Sequence, residues 1–98
     1  MLNIALVVPC LNDAELLARC LASFSSQTRP LDQIIVVDNG STDASAAVAA
    51  SFGARVVSEP RRGITWAARA GYDAALDGGA DLIVRTDADA WAEPTFIE

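Results

Sequence analysis

Histidine and lysine are absent from this 98-residue chain, and cysteine occurs only twice. Without histidine, and with Cys10 and Cys20 outside any C-x-x-C spacing, the sequence offers no donor set for zinc. Both cysteines read instead as reduced, buried, small apolar residues in a cytoplasmic protein. The lack of lysine leaves seven cations, all arginine, against thirteen acids, a formal net charge of −6. Such a balance argues against nucleic acid or any other long polyanion, which needs a basic face. A single phosphate ester held through a metal and one arginine stays compatible with it. No apolar run approaches the roughly 20 residues of a transmembrane segment, and no basic stretch precedes the first apolar run. Glycine-rich phosphate loops are missing as well. The first loop is Pro9-Cys10-Leu11-Asn12-Asp13, neither a G-x-G-x-x-G turn nor a G-x-x-x-x-G-K-[ST] loop. A phosphoacceptor domain would need an acidic pair after the first strand and an aspartate after the third, where Val57-Ser58-Glu59 stands.

What is present has the 52% hydrophobic and 20% charged content of one globular domain spanning residues 1–98. Ile4 to Val8 is a continuous apolar run of the kind buried on both faces of a parallel sheet, closed by Pro9. A helix is expected from about Ala14 to Ser26, capped by Asn12 or Asp13, with Leu16, Leu17, Cys20, Leu21 and Phe24 on one stripe. Ile34 to Val37 reads as the second strand, followed by a turn and an alanine-rich helix to about Phe52, for which Ser41 or Thr42 is the expected N-cap. Arg55 to Val57, a polar loop, a helix from about Thr65 to Leu76 and a strand from Leu82 to Thr86 complete the pattern. Alternation of this kind implies an α/β, doubly wound, three-layer α/β/α domain with a mainly parallel, Rossmann-like sheet.

Ligands of such sheets lie beyond the carboxyl ends of the strands. Pro9 to Asp13, Asp38 to Asp43 and Asp87-Ala88-Asp89 all fall there. Two carboxylates one residue apart project to the same side where a strand runs out, and oxygen-rich pairs suit Mg²⁺ or Mn²⁺ and, through them, phosphates. Alone, the pair reads rather as an acidic turn capping the next segment. Asp38 and Asn39 read equally as the start of an Asn-Gly turn, and Arg69 as a solvated helix residue. Arg61 and Arg62 are expected on a mobile loop, paired with water or Glu59. Trp66 and Trp91 are expected to pack rather than to stack on a sugar.

Taken together, Val7 to Asp13, Ile35-Val36-Val37-Asp38-Asn39-Gly40-Ser41-Thr42-Asp43, Gly63 to Gly71 and Thr86-Asp87-Ala88-Asp89 resemble the start of a family 2 glycosyltransferase of the GT-A fold. The resemblance implies inverting transfer of a sugar from a nucleoside diphosphate donor, UDP- or GDP-linked, with a divalent metal, Mn²⁺ or Mg²⁺. Pro9, Leu11 and Asp13 match the loop lining base and ribose, with Asp13 where the family usually has Glu. Asp38 matches the acid that recognises the base, and Asn39 replaces a frequent second Asp. The donor nucleotide is thus expected against Pro9, Cys10, Leu11, Asp13, Asp38, Asn39, Arg69, Asp87 and Ala88. The metal is expected on Asp87 and Asp89, with Asp89 the more direct ligand. Arg69 stands one place later than the family's commonest arginine, a turn of about 100° on the helix. The resemblance further implies that this is the donor half of a catalytic domain, truncated after the fourth strand. No catalytic base is assigned, neither Glu93 nor Glu98, and the fourth strand is left as an open edge that a second copy could pair with. A nucleotide or metal sensor without turnover, or an interaction module, are the rival classes.

Overall fold

The computed structural model describes residues 2–25 and 30–87. Within them the order is β1 (Ile4–Cys10), α1 (Ala14–Ser25), β2 (Gln33–Asp38), α2 (Ser45–Ser51), β3 (Arg55–Ser58), α3 (Ile64–Asp77) and β4 (Leu82–Arg85). The four strands form one parallel sheet in the order β3-β2-β1-β4. Strand order therefore reverses between β1 and β4, and a crevice opens at such a point. The expected α/β architecture is the observed one.

Strand β1 is buried along its whole length because helices cover both faces of the sheet. Leu6, Val8 and Cys10 point to one side and pack with Leu17, Cys20, Leu21 and Phe24 of α1 and Ala49 of α2. Ala5 and Val7 point to the other, with Ile35, Val37 and the small residues Ala67, Ala74 and Ala75 of α3. Period-2 alternation on the strand thus splits one apolar run into two cores.

Two boundaries differ from expectation for identifiable reasons. Pro9 does not end β1, which runs on through Cys10. The carbonyl of Val7 accepts from Thr86 N on the β4 side, whereas the carbonyl of Cys10 accepts from Asn39 N on the β2 side. By alternation, position 9 faces β4, whose strand stops at Arg85 opposite Val7. The missing N–H therefore costs no ladder bond.

Helix α2 starts at Ser45, and neither Ser41 nor Thr42 caps it. The N-cap position is Ala44, with no side-chain cap bond, and Asp43 just before it ties two helix heads: its Oδ1 accepts from the amide and hydroxyl of Ser45, and its Oδ2 from Ala14 N at the head of α1. Ser41 and Thr42 instead join loop to loop. Ser41 Oγ accepts from Asn12 N, and Asn12 Oδ1 accepts from Thr42 N. Asn12 adopts φ 52°, the left-handed region that asparagine tolerates.

The bonds from Ser45 hold the Asp43 carboxyl below the usual carboxylate range. A folded-state value below the unfolded one, about 3.9, stabilises the fold above about pH 4, and this contribution is lost as pH falls through the depressed value. Comparing urea unfolding of the wild type and Asp43→Asn checks this. The stability gap is expected to be constant above about pH 5 and to close on acidification below about pH 4.

Candidate functional site

A cavity of about 400 Å³ lies beyond the carboxyl ends of β1 and β2, lined by Pro9, Cys10, Leu11, Asp13, Asn39, Arg62, Gly63, Ile64, Ala67 and Asp87. Four separate stretches of sequence meet there, Arg62 to Ala67 at the head of α3 being one of them. Pro9 to Asp13 arrives on the end of β1 and Asn39 on the end of β2, while Asp87 follows β4. Ala88 and Asp89 lie outside the described residues. The cavity places acids at Asp13 and Asp87 and a cation at Arg62. No cluster of three metal-type side chains occurs among the described residues, so Asp87 is the described half of the expected metal pair. Its carboxylate oxygens are a hard donor set of the kind Mg²⁺ and Mn²⁺ take.

Cys10 forms part of the cavity wall, and burial pushes its thiol above the ordinary value. It therefore stays protonated and serves as apolar lining, not as a nucleophile. Asp38, expected against the nucleotide, is half-buried and is not among the residues that line this cavity; its Oδ1 accepts from Ser41 N, fixing the turn that leads towards α2.

Asn39 is used differently from the expectation. Its side chain is 7% exposed. The amide nitrogen donates to the carbonyls of Glu59 and Arg61, each at 2.8 Å, and its oxygen accepts from Gly63 N at 3.2 Å. The asparagine is thus a clip between the end of β2 and the loop leading into α3.

That loop is more ordered than its polar sequence suggests. Glu59 is buried, and its carboxylate accepts from the amide and guanidinium of Arg61. The guanidinium hydrogen bond holds Glu59 below the usual carboxylate range. Arg61 also lies 3.9 Å from the centroid of the Trp66 ring, a stacked cation–π contact. Trp66 is therefore not a core residue; it is 38% exposed and carries an arginine on its face. With Arg61 held in this way, Arg62 is free to face the cavity. Among the described residues Arg62 makes no hydrogen bond or ion pair.

Arg69 stands elsewhere. It borders a separate groove of about 390 Å³ with Ile64, Thr65, Ala68, Tyr72, Asp73 and Arg85. The cation that the sequence suggested for the donor cavity is thus absent from its lining, and Arg62, which sequence reasoning left on a solvated loop, is present. No sequence signal singled out Arg62; it stands directly before Gly63, whose φ of 121° lets the chain turn into α3.

The glycosyl transferase family 2 model matches residues 5–98, nearly the whole chain. An uncharacterized glycosyltransferase of Mycobacterium tuberculosis (strain ATCC 25618 / H37Rv) is 44% identical over 86 residues, covering 88% of this chain and 36% of the relative. The protein RfbJ of Shigella flexneri is 36% identical over 87 residues, covering 89% of this chain and 64% of its own length. Among solved structures, glucosyl-3-phosphoglycerate synthase from Mycobacterium tuberculosis, in complex with Mn²⁺, UDP and glucosyl-3-phosphoglycerate, superposes with a TM-score of 0.73 at 29% identity. The match covers 89% of this chain and 33% of that one. The mannosyltransferase PcManGT from Pyrobaculum calidifontis, in complex with GDP-Man and Mn²⁺, gives a TM-score of 0.76 at 29% identity, covering 92% of this chain and 28% of that one.

The chain belongs to glycosyltransferase family 2, and its sheet is the N-terminal part of the GT-A fold. It spans about a third of the length of the first relatives it matches. No helix among the described residues is long and apolar enough to cross a membrane.

Proposed function

We propose that residues 1–98 form the donor-binding half of an inverting glycosyltransferase that uses a UDP- or GDP-linked sugar, uridine being the preferred base. The observation that carries this reading is the convergence of Asp13, Arg62 and Asp87 on one cavity at the reversal of strand order. Pro9, Cys10, Leu11 and Asp13 line the nucleoside, with Asp38 reading the base from the end of β2. Arg62 faces the diphosphate. Asp87 and Asp89 of the D-x-D motif hold a divalent cation, with Ala88 between them at the nucleotide. That ion, when bound, neutralises charge on the departing nucleoside diphosphate. The chain's own groups bind and orient; no described carboxylate is assigned as general base, and the fragment is inactive alone. The reaction is placed in the cytoplasm or at the cytoplasmic face of a membrane.

Calorimetric titration of UDP and GDP, with and without Mn²⁺, tests the reading. Metal-dependent binding of at least one nucleotide is expected. Equal affinity with and without Mn²⁺ would remove the metal from the site.

Self-association through β4 is part of the same proposal. Its outer edge carries no neighbouring strand among the described residues, and Leu82 on it is exposed. An unpaired apolar edge recruits another chain. Light scattering over a concentration series is expected to report a dimer or larger assembly of the 98-residue chain; a sharp monomer at millimolar concentration refutes it.

A further inference from the structure

The hydrogen bonding of Asn39 is inconsistent with a direct contact to the base. Both amide hydrogens are spent on the carbonyls of Glu59 and Arg61, and the oxygen already takes Gly63 N. Reading a base with the amide hydrogens of this side chain would strand the carbonyls of Glu59 and Arg61. The three bonds instead bracket residues 59–63 from both sides, and the residue enclosed by the bracket is Arg62. Its Nε lies 4.0 Å from the point where a Cβ on Gly40 would stand, so the guanidinium passes over the Asn39-Gly40 turn on its way to the cavity. The neighbouring arginine is removed from the cavity by Glu59 and Trp66. The loop therefore sorts two adjacent arginines, one to a structural carboxylate and one to the cavity.

The geometry points to Asn39 as a positioning residue that acts through the backbone of residues 59–63 to hold Arg62 against the diphosphate of the donor. This rests on the donor-site reading above. An aspartate at this position keeps the acceptor for Gly63 N but turns a carboxylate oxygen toward two carbonyl oxygens, so the clip requires the amide. Asn39 thus serves diphosphate recognition without touching the nucleotide.

The test pairs hydrogen exchange of the ligand-free chain with titrations of UDP, pyrophosphate and uridine, in the wild type, Asn39→Ala, Asn39→Asp, Arg62→Ala and the Asn39→Ala/Arg62→Ala double variant. In Asn39→Ala the amide of Gly63 is expected to exchange about tenfold faster, with β1 protection unchanged, whereas Asn39→Asp, which keeps that acceptor but loses both carbonyl bonds, is expected to weaken UDP and pyrophosphate without that rise in Gly63 exchange. UDP and pyrophosphate are expected to weaken about tenfold in Asn39→Ala, the loss of one charge-assisted contact, and uridine not at all. The double variant is expected to bind no worse than Arg62→Ala, because the two residues act as one unit. Uridine weakening in step with UDP would overturn the proposal in favour of a base contact, as would additive losses in the double variant. Unchanged exchange at Gly63 in Asn39→Ala would remove the clip itself. If the wild type binds neither UDP nor pyrophosphate, the donor-site reading fails and takes the anion role of Arg62 with it, while exchange still decides whether Asn39 orders the loop.

Discussion

Gly71→Ala is expected to destabilise the chain by roughly 1–3 kcal/mol, although alanine is the better helix former. A Cβ at this position would enter the van der Waals shell of Val7 Cγ1 and come within 3.1 Å of Val37 Cγ2. Neither neighbour can yield easily. Val7 is fully buried on the central strand and Val37 on the next, so both are held by the packing of the sheet on either side. Helix α3 sits this close because Ala67, Ala74 and Ala75 are also small, so its backbone rests almost directly on β1 and β2. Against a helix-propensity gain of about 1 kcal/mol, the overpacking dominates. For a domain of this size each kcal/mol moves the melting temperature by about 4–8 °C. Thermal unfolding followed by circular dichroism measures it. An unchanged or raised melting temperature would mean that α3 can lift off the sheet without loss.

Asp89→Ala is expected to remove most of the metal-dependent part of nucleotide affinity, on the order of 100-fold in the presence of Mn²⁺. The estimate follows from losing a charged oxygen on a hard cation, where even indirect partners of a ligand are worth 10–100-fold. Asp87→Ala is expected to act in the same direction, because Asp87 lines the cavity. Asp38→Ala separates the two halves of recognition: it is expected to weaken nucleoside binding without metal as well. Calorimetry with and without Mn²⁺ distinguishes them. Folding should survive all three changes, since Asp87 and Asp89 follow β4 in the sequence and the Asp38 side chain, among the described residues, accepts from Ser41 N alone. If Asp38→Ala unfolds the chain, the turn at the end of β2 was its purpose.

The order of strands and helices was legible because each element announces itself by periodicity and by a bounding turn, as Ile4 to Val8 and Leu17 to Phe24 do. Edges were less so. Whether a proline interrupts a strand depends on which neighbour its missing N–H would have faced, and that is settled by where β4 stops, some 75 residues away in sequence. The choice between Arg62 and Arg69 was illegible for a similar reason. The resemblance pointed to the helix residue, which borders another groove, while the pairing of Glu59 with Arg61 and the stacking of Arg61 on Trp66 decide which of the two adjacent loop arginines is left for the cavity. The part played by Asn39 was hidden because a side chain that holds backbone groups twenty or more residues away leaves no local pattern. Asp43 joins the heads of two helices through bonds 29 and 2 residues long in sequence, of which only the second could be foreseen.

The position of β1 between β2 and β4 imposes an order of assembly. Near its start, β1 is tied to Asp32 across 28 residues at the β2 side, and to Asp81 across 78 residues at the β4 side. Closing the longer loop costs about 0.9 kcal/mol more in chain entropy, and on a ribosome its far end emerges last. The three-strand unit β3-β2-β1 is therefore expected to form first, with β4 docking onto it afterwards through a short ladder from Leu82 to Arg85. Asp87 belongs to that late piece, whereas Asp13 and Asn39 belong to the early one. On the donor-site proposal, the nucleoside side of the cavity is expected to form before the side that carries Asp87, and metal-dependent binding would then report that the last strand has docked.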